Sequence, residues 1–251
     1  MKPTINRRHL PNIVFKQMPL ELESDMFFDF LQSDWSNRIT DKYPQFLAIK
    51  EIKSKGKRFE SIKSEICKIR STSEEKMSIG LGKIKSDWQK NQEKILNTLS
   101  DIIQAEWLPK EITAYISLNP ICPRYLNSLS FSICPDNKYI NKTITHELSH
   151  FLYFKKFNEV FPEISQKQYE SPHKEWILSE LVAVIILDDS RIIKIIGNEG
   201  NNFYDSHKIL KIDNVLATDI IRDIYKKSVI KRNDFSEFIK NGMEVINRVS
   251  L

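Results

Sequence analysis

The sequence predicts a mainly helical α+β protein with a small sheet, and three observations predict it. Apolar residues recur at helical spacing from Leu20 to about Leu108, the period changes to alternation near Ile112 and again near Leu129, and helical spacing returns from about Asn141. A chain of 251 residues that is 41% hydrophobic can bury one sizeable core, or form a compact catalytic unit with a helical extension. The expected division is a helical N-terminal region over 1–109 and a second region over 110–251.

Residues 1–19 read as irregular because Pro3, Pro11 and Pro19 punctuate them. Three helical stripes follow: Met26, Phe27, Phe30 and Leu31; then Phe59, Ile62, Ile66 and Ile69; then Trp88, Ile95, Leu99 and Ile102. Gly80 and Gly82 predict a turn before the third helix, and Pro109 sets its end. These stripes are assigned to core packing. Ile112 to Leu118 reads as a strand closed by Asn119-Pro120. Leu129, Phe131 and Ile133 alternate with Ser128, Ser130 and Ser132, a half-buried strand running to Cys134. Pro135-Asp136-Asn137 is a turn signal before the next helix. Beyond Asp213, one amphipathic helix carries Leu216, Ile220, Ile221 and Ile224, and another carries Phe235, Phe238, Ile239, Val245 and Ile246. Their apolar faces cover the core or serve a partner, and the oligomeric state stays open.

Composition narrows the partners. A net charge of +5, from 38 basic and 33 acidic residues, fits a solvated surface better than a dedicated polyanion binder. Between Lys50 and Arg70, eight basic residues outnumber Glu51, Glu60 and Glu65. Lys53, Lys55, Lys57 and Arg58 could contact phosphates, but no aromatic interleaving offers base stacking, so nucleic acid is not the expected partner. Cys67, Cys122 and Cys134 form an odd set without paired short spacing, which points away from a disulfide framework. The first twenty residues lack the apolar run of a signal peptide, and Leu181 to Leu187 is too short to span a bilayer. A soluble cytoplasmic protein without a membrane partner is expected.

The chemistry concentrates in Thr143-Ile144-Thr145-His146-Glu147-Leu148-Ser149-His150-Phe151-Leu152. On a helix His146 and His150 stand one turn apart on one face, able to share a metal ion, with Glu147 beside it as a base for an attacking water. This histidine-glutamate-two-residues-histidine pattern, with uncharged Leu148 and Ser149 and apolar Phe151 and Leu152, resembles the signature of the zincin zinc metallopeptidases. The resemblance covers the middle third of the chain. It implies a zincin-like core over 110–251, zinc as cofactor, and a peptide or protein as substrate. It also implies that the strand before the active helix, here Ser128 to Cys134, is a sheet edge that pairs with an extended substrate.

A catalytic zinc site takes a third protein ligand. The metzincin pattern would need Gly at 153 and His at 156, where Tyr153 and Lys156 stand. Among the downstream carboxylates Glu159, Glu163, Glu170, Glu175 and Glu180, surroundings favour Glu180. It shares the stripe of Ile177, Ala183, Val184 and Leu187, and a buried carboxylate needs a cation. Ser171 and Pro172 read as the start of that helix, which leaves Glu170 just outside it. Glu180-Leu181-Val182-Ala183, preceded by Trp176, resembles the glutamate helix of the gluzincin subclass; Glu170, Glu175 and His173 remain alternatives. An oxyanion donor would come from Tyr204 or His207, while Asp188 and Asp189 are candidates to orient a metal-binding histidine. No Gly-Ala-Met-Glu-Asn-like run is present to hold a free N-terminus, which favours an endopeptidase. The competing reading is a regulatory or peptide-binding protein that keeps the zincin fold with little or no catalysis.

Overall fold

The structure, a computed structural model, describes residues 9–136, 138–198, 200 and 203–249. In chain order these form β1 (Asn12–Gln17), α1 (Leu20–Leu31), α2 (Ser36–Lys42), α3 (Phe46–Lys50), α4 (Lys55–Gln89), α5 (Gln92–Ile103), β2 (Glu111–Ile116), β3 (Arg124–Tyr125) and β4 (Ser130–Ile133). There follow α6 (Ile140–Val160), a 3-10 turn (Gln166–Tyr169), α7 (Lys174–Leu187), α8 (Ser190–Ile196), α9 (Asp205–Lys208), β5 (Lys211–Ile212), β6 (Val215–Leu216), α10 (Ala217–Tyr225), a π-helical segment (Lys226–Lys231) and α11 (Phe235–Asn247). The protein is mainly helical with small sheets. Among the described residues no helix is long and apolar enough to cross a membrane.

The chain makes two compact units that are interleaved in sequence, so neither follows the expected division at residue 110. One comprises Pro11–Lys90 and Glu111–Thr143; the other includes Asn91–Lys110 and Ile144–Leu251.

The first unit is built on a four-stranded sheet of order β1-β2-β4-β3, in which β1 and β4 run parallel to β2 and β3 runs antiparallel to β4. The strand β1 corrects the expectation of an irregular start. Pro11 and Pro19 lie outside it, and Asn12 through Gln17 pair in register with Glu111 through Ile116. Ile13 and Phe15 point inward. Helix α4 also departs from expectation, running through Gly80 and Gly82 without a turn for 35 residues. A Cβ at Gly80 would stand 3.3 Å from the Pro135 Cβ, so the missing side chain admits a close neighbour rather than breaking the helix. The break comes at Lys90-Asn91, which assigns Trp88 to α4 and Ile95, Leu99 and Ile102 to α5.

Helix α1 packs on α4, where Phe28 meets Phe59 edge-on, and its Met26, Phe27 and Leu31 are buried. On the same helix the fully buried Glu23 accepts hydrogen bonds from Ser117 Oγ (2.7 Å), the Leu118 backbone N–H (2.6 Å) and Arg70 Nε (2.8 Å). Arg70 Nη2 also donates to the Met18 carbonyl at 2.5 Å. A carboxylate taken out of water is stable only with such partners. Within the basic run, Arg58 Nε donates to the Ile52 carbonyl at 2.8 Å and its guanidinium lies over the Phe28 ring, while Lys63 pairs with Glu21.

In the second unit α7 is the central element. Every residue from Ile177 to Leu187 is buried. Helices α10 and α11 pack on it and on each other, so the apolar faces seen in the sequence cover this core. Gly242 lets α11 approach closely, since a Cβ there would lie 3.2 Å from Leu178 Cδ1.

Candidate metal centre

Helix α6 carries His146 and His150 one turn apart, with the intervening Leu148 and the flanking Ile144, Phe151 and Leu152 buried. That burial fixes the helix phase and holds both imidazoles on one side. Their Nε2 atoms are 3.1 Å apart, the rings inclined at 77°. Glu180 reaches both from α7, with Oε2 3.4 Å from His146 Nε2 and Oε1 3.5 Å from His150 Nε2. Among the described residues this is the group of His, Cys, Asp or Glu side chains whose donor atoms converge, all within 4.8 Å of one another. Donors that share one tetrahedral ion at the ~2.0–2.1 Å of a zinc–imidazole bond lie roughly 3.3 Å from one another. The imidazole nitrogens are near that spacing and each faces a different Glu180 oxygen, so the three side chains could hold one metal ion with the carboxylate spanning both histidines.

Exposure gives the cluster a direction. The side chains of His150 and Glu180 are 1% and 4% exposed, whereas that of His146 is 20% exposed, so His146 is the member of the cluster nearest to solvent. Glu147 is itself buried.

The other candidate ligands lie elsewhere. Helix α7 starts at Lys174 with His173 at its N-cap, two residues later than the Ser171-Pro172 start expected, and both Glu170 and His173 are exposed. Glu175 is buried but separately engaged: Gln168 Nε2 donates to it at 3.3 Å, and its charge adds to the burial that raises the Tyr153 and Tyr169 hydroxyl pKa values. Because α7 is buried on all sides, a carboxylate at 180 is interior at any helix phase.

The expectation that Ser128 to Cys134 forms a free edge is overturned. β4 is an interior strand, paired with β2 on one side and β3 on the other, and Ser132 N–H donates to the Pro123 carbonyl beyond the end of β3. Its backbone groups are already used within the sheet.

Tyr204 and His207 are brought together around Trp176, to which helical spacing alone assigns no role. Trp176, one turn before Glu180 on α7, stacks on Tyr204 (6.2 Å, 16°) and meets His207 edge-on (5.3 Å, 68°). Burial lowers the His207 pKa below its ordinary value, and the nearby Glu180 only partly offsets this, so its imidazole is favoured in the neutral form. Its Nδ1 has no hydrogen-bond partner among the described residues.

No family model, curated protein or solved structure matches this chain.

Asp188 and Asp189 take structural roles. Asp188 pairs with Arg222 at 2.6 Å. Asp189 caps α8 through the Arg191 N–H (2.9 Å) and accepts from the Arg191 guanidinium (2.9 and 2.7 Å) and the Tyr225 hydroxyl (2.6 Å). Burial alone would raise the Asp189 pKa, but these donors hold it below the usual carboxylate value. Stability from this site is thus fully present above about pH 4 and fades as pH falls through the folded value. Tyr225→Phe removes one charge-assisted bond and should cost about 1.5–3 kcal/mol in urea denaturation at pH 7. That difference should shrink once Asp189 is protonated; a cost below about 0.5 kcal/mol would show the bond contributes little.

Proposed function

We propose that the protein is a zinc-dependent peptidase, with His146, His150 and Glu180 as metal ligands and Glu147 as the proton-transfer group. The observation that carries this reading is the convergence of two imidazoles and one buried carboxylate at 3.1 to 3.5 Å, from two helices of one unit. Two imidazoles with a carboxylate suit zinc among the divalent ions, and a set of three protein ligands is the number a catalytic zinc site takes. When bound, zinc would supply Lewis-acid polarisation of a carbonyl and bring the pKa of a water toward neutrality. Glu147 then accepts the proton of the attacking water and returns it to the leaving amine. Tyr204 or His207, held on the Trp176 side, offers a hydrogen-bond donor to the developing oxyanion. The core would be gluzincin-like and the substrate a peptide or protein cleaved internally. A cytoplasmic setting fits the exposed thiol of Cys67.

The test is metal content of protein purified without a metal-chelating tag, in wild type and Glu180→Ala, alongside hydrolysis of a mixed quenched-peptide library. About one zinc per wild-type chain, falling well below that in Glu180→Ala, together with hydrolysis, is the expected result. Zinc retained in the variant would move the third ligand away from Glu180. Wild type that takes up no zinc when it is supplied would sink the reading, and zinc without hydrolysis would leave a metal-binding protein. Because zinc would bind the folded chain, its removal should also destabilise the protein. At free zinc about 1,000 times the dissociation constant the stabilisation is about 4 kcal/mol, visible as a lower Tm after chelation.

A further inference from the structure

Cys134 follows β4 directly and is 6% exposed. Lys42, the last residue of α2, places its Nζ 2.9 Å from the Cys134 Sγ. The same Nζ is 3.1 Å from Asp136 Oδ2 and lies 5.2 Å from the centroid of the Tyr43 ring, whose hydroxyl is itself anchored on the Leu118 carbonyl at 3.1 Å. The amine is thus held against the sulfur by a carboxylate and an aromatic face, unlike a freely moving surface lysine. Peroxide oxidises cysteine sulfur to the sulfenic acid, and here that sulfur already has an amine in contact.

We propose that Lys42 and Cys134 form an oxidation-triggered covalent cross-link, with hydrogen peroxide as the oxidant. In the first step the Cys134 sulfur attacks one peroxide oxygen, the O–O bond breaks, and sulfenic acid and one water result. In the second the Lys42 amine attacks that sulfur, an S–N bond forms, the S–O bond breaks, and the hydroxyl leaves as a second water with a proton from the amine. The sum is thiol plus amine plus peroxide giving the sulfenamide and two waters, with sulfur oxidised and peroxide reduced. Sulfenic acids condense in this way with backbone nitrogen, and a side-chain amine in contact is at least as available. Burial draws Lys42 toward its neutral form, and its contacts with Cys134, Tyr43 and Asp136 more than reverse that. Conversion of Cys134 to the sulfenic acid makes its sulfur electrophilic while the Lys42 nitrogen is held at 2.9 Å.

The linkage closes a long loop, since residues 42 and 134 are 92 positions apart. It should therefore raise Tm by several degrees, as a disulfide does by restricting the unfolded chain. The experiment treats the full-length protein with a small excess of hydrogen peroxide, digests it, and maps the peptides by mass under non-reducing conditions. The expected product joins the peptides bearing residues 42 and 134, with the summed mass less two hydrogens, and thiol reductant reverses both the link and the Tm rise. Lys42→Arg, which keeps the positive charge, should show no link, with Cys134 running on to sulfinic acid. Cys134 unmodified while the exposed Cys67 oxidises, a link that retains an oxygen, or sulfinic acid in wild type with Lys42 free would each overturn the proposal.

Discussion

Glu147→Gln should fold and bind metal like wild type yet lose about 10²- to 10⁴-fold in kcat/KM for peptide hydrolysis, the range expected when a positioned general base is removed. The substitution is nearly isosteric, which matters because Glu147 is buried between neighbours on α6 that fix the helix phase. An amide cannot take up a proton from water at neutral pH, but it fills the same space. Hydrolysis by the variant within tenfold of wild type, at equal zinc content, would remove Glu147 from the mechanism. Equal Tm values for the two proteins would confirm that the loss is chemical.

Arg70→Met should destabilise the first unit by about 3–5 kcal/mol, because it strips the cationic partner from a buried carboxylate. Glu23 is fully buried and would keep only Ser117 Oγ and the Leu118 N–H as donors. Adding Glu23→Gln should recover most of the loss, since the uncharged amide carries a smaller desolvation cost. Urea denaturation of the single and double variants gives both numbers. A single-variant cost near that of a surface pair, below about 1 kcal/mol, would show that water reaches Glu23 when the arginine is gone.

What the sequence made legible was local. His146 and His150 fall one turn apart because three to four residues make a turn, and a run of apolar residues around them needs no distant partner to be read. Glu180 was legible as a charge inside an apolar run. The features that escaped depend on residues remote in sequence. β1 looks irregular between its prolines until β2 pairs with it. Gly80 reads as a breaker until Pro135 is seen beside it. The place of β4 inside the sheet follows from β3, only two residues long and too short to leave a periodic signal. Trp176 could have been suspected from its position four residues before Glu180, but its contacts with Tyr204 and His207 come from a segment beyond α8. Helix-start chemistry misled at Ser171-Pro172 because the cap signal lay ahead of the true start at Lys174.

The pairing of β1 with β2, Asn12 opposite Glu111, also sets the order of events when the chain is made. During synthesis β1 leaves the ribosome long before its partner, and α1 through α4 emerge in between with their apolar faces uncovered. Contacts so distant in sequence are slow to form, and nascent helices without a sheet to cover them are sticky. A ribosome-bound chain stopped at residue 90 should therefore be protease-sensitive and retained by holding chaperones, whereas one extended past residue 143 should become resistant in this unit.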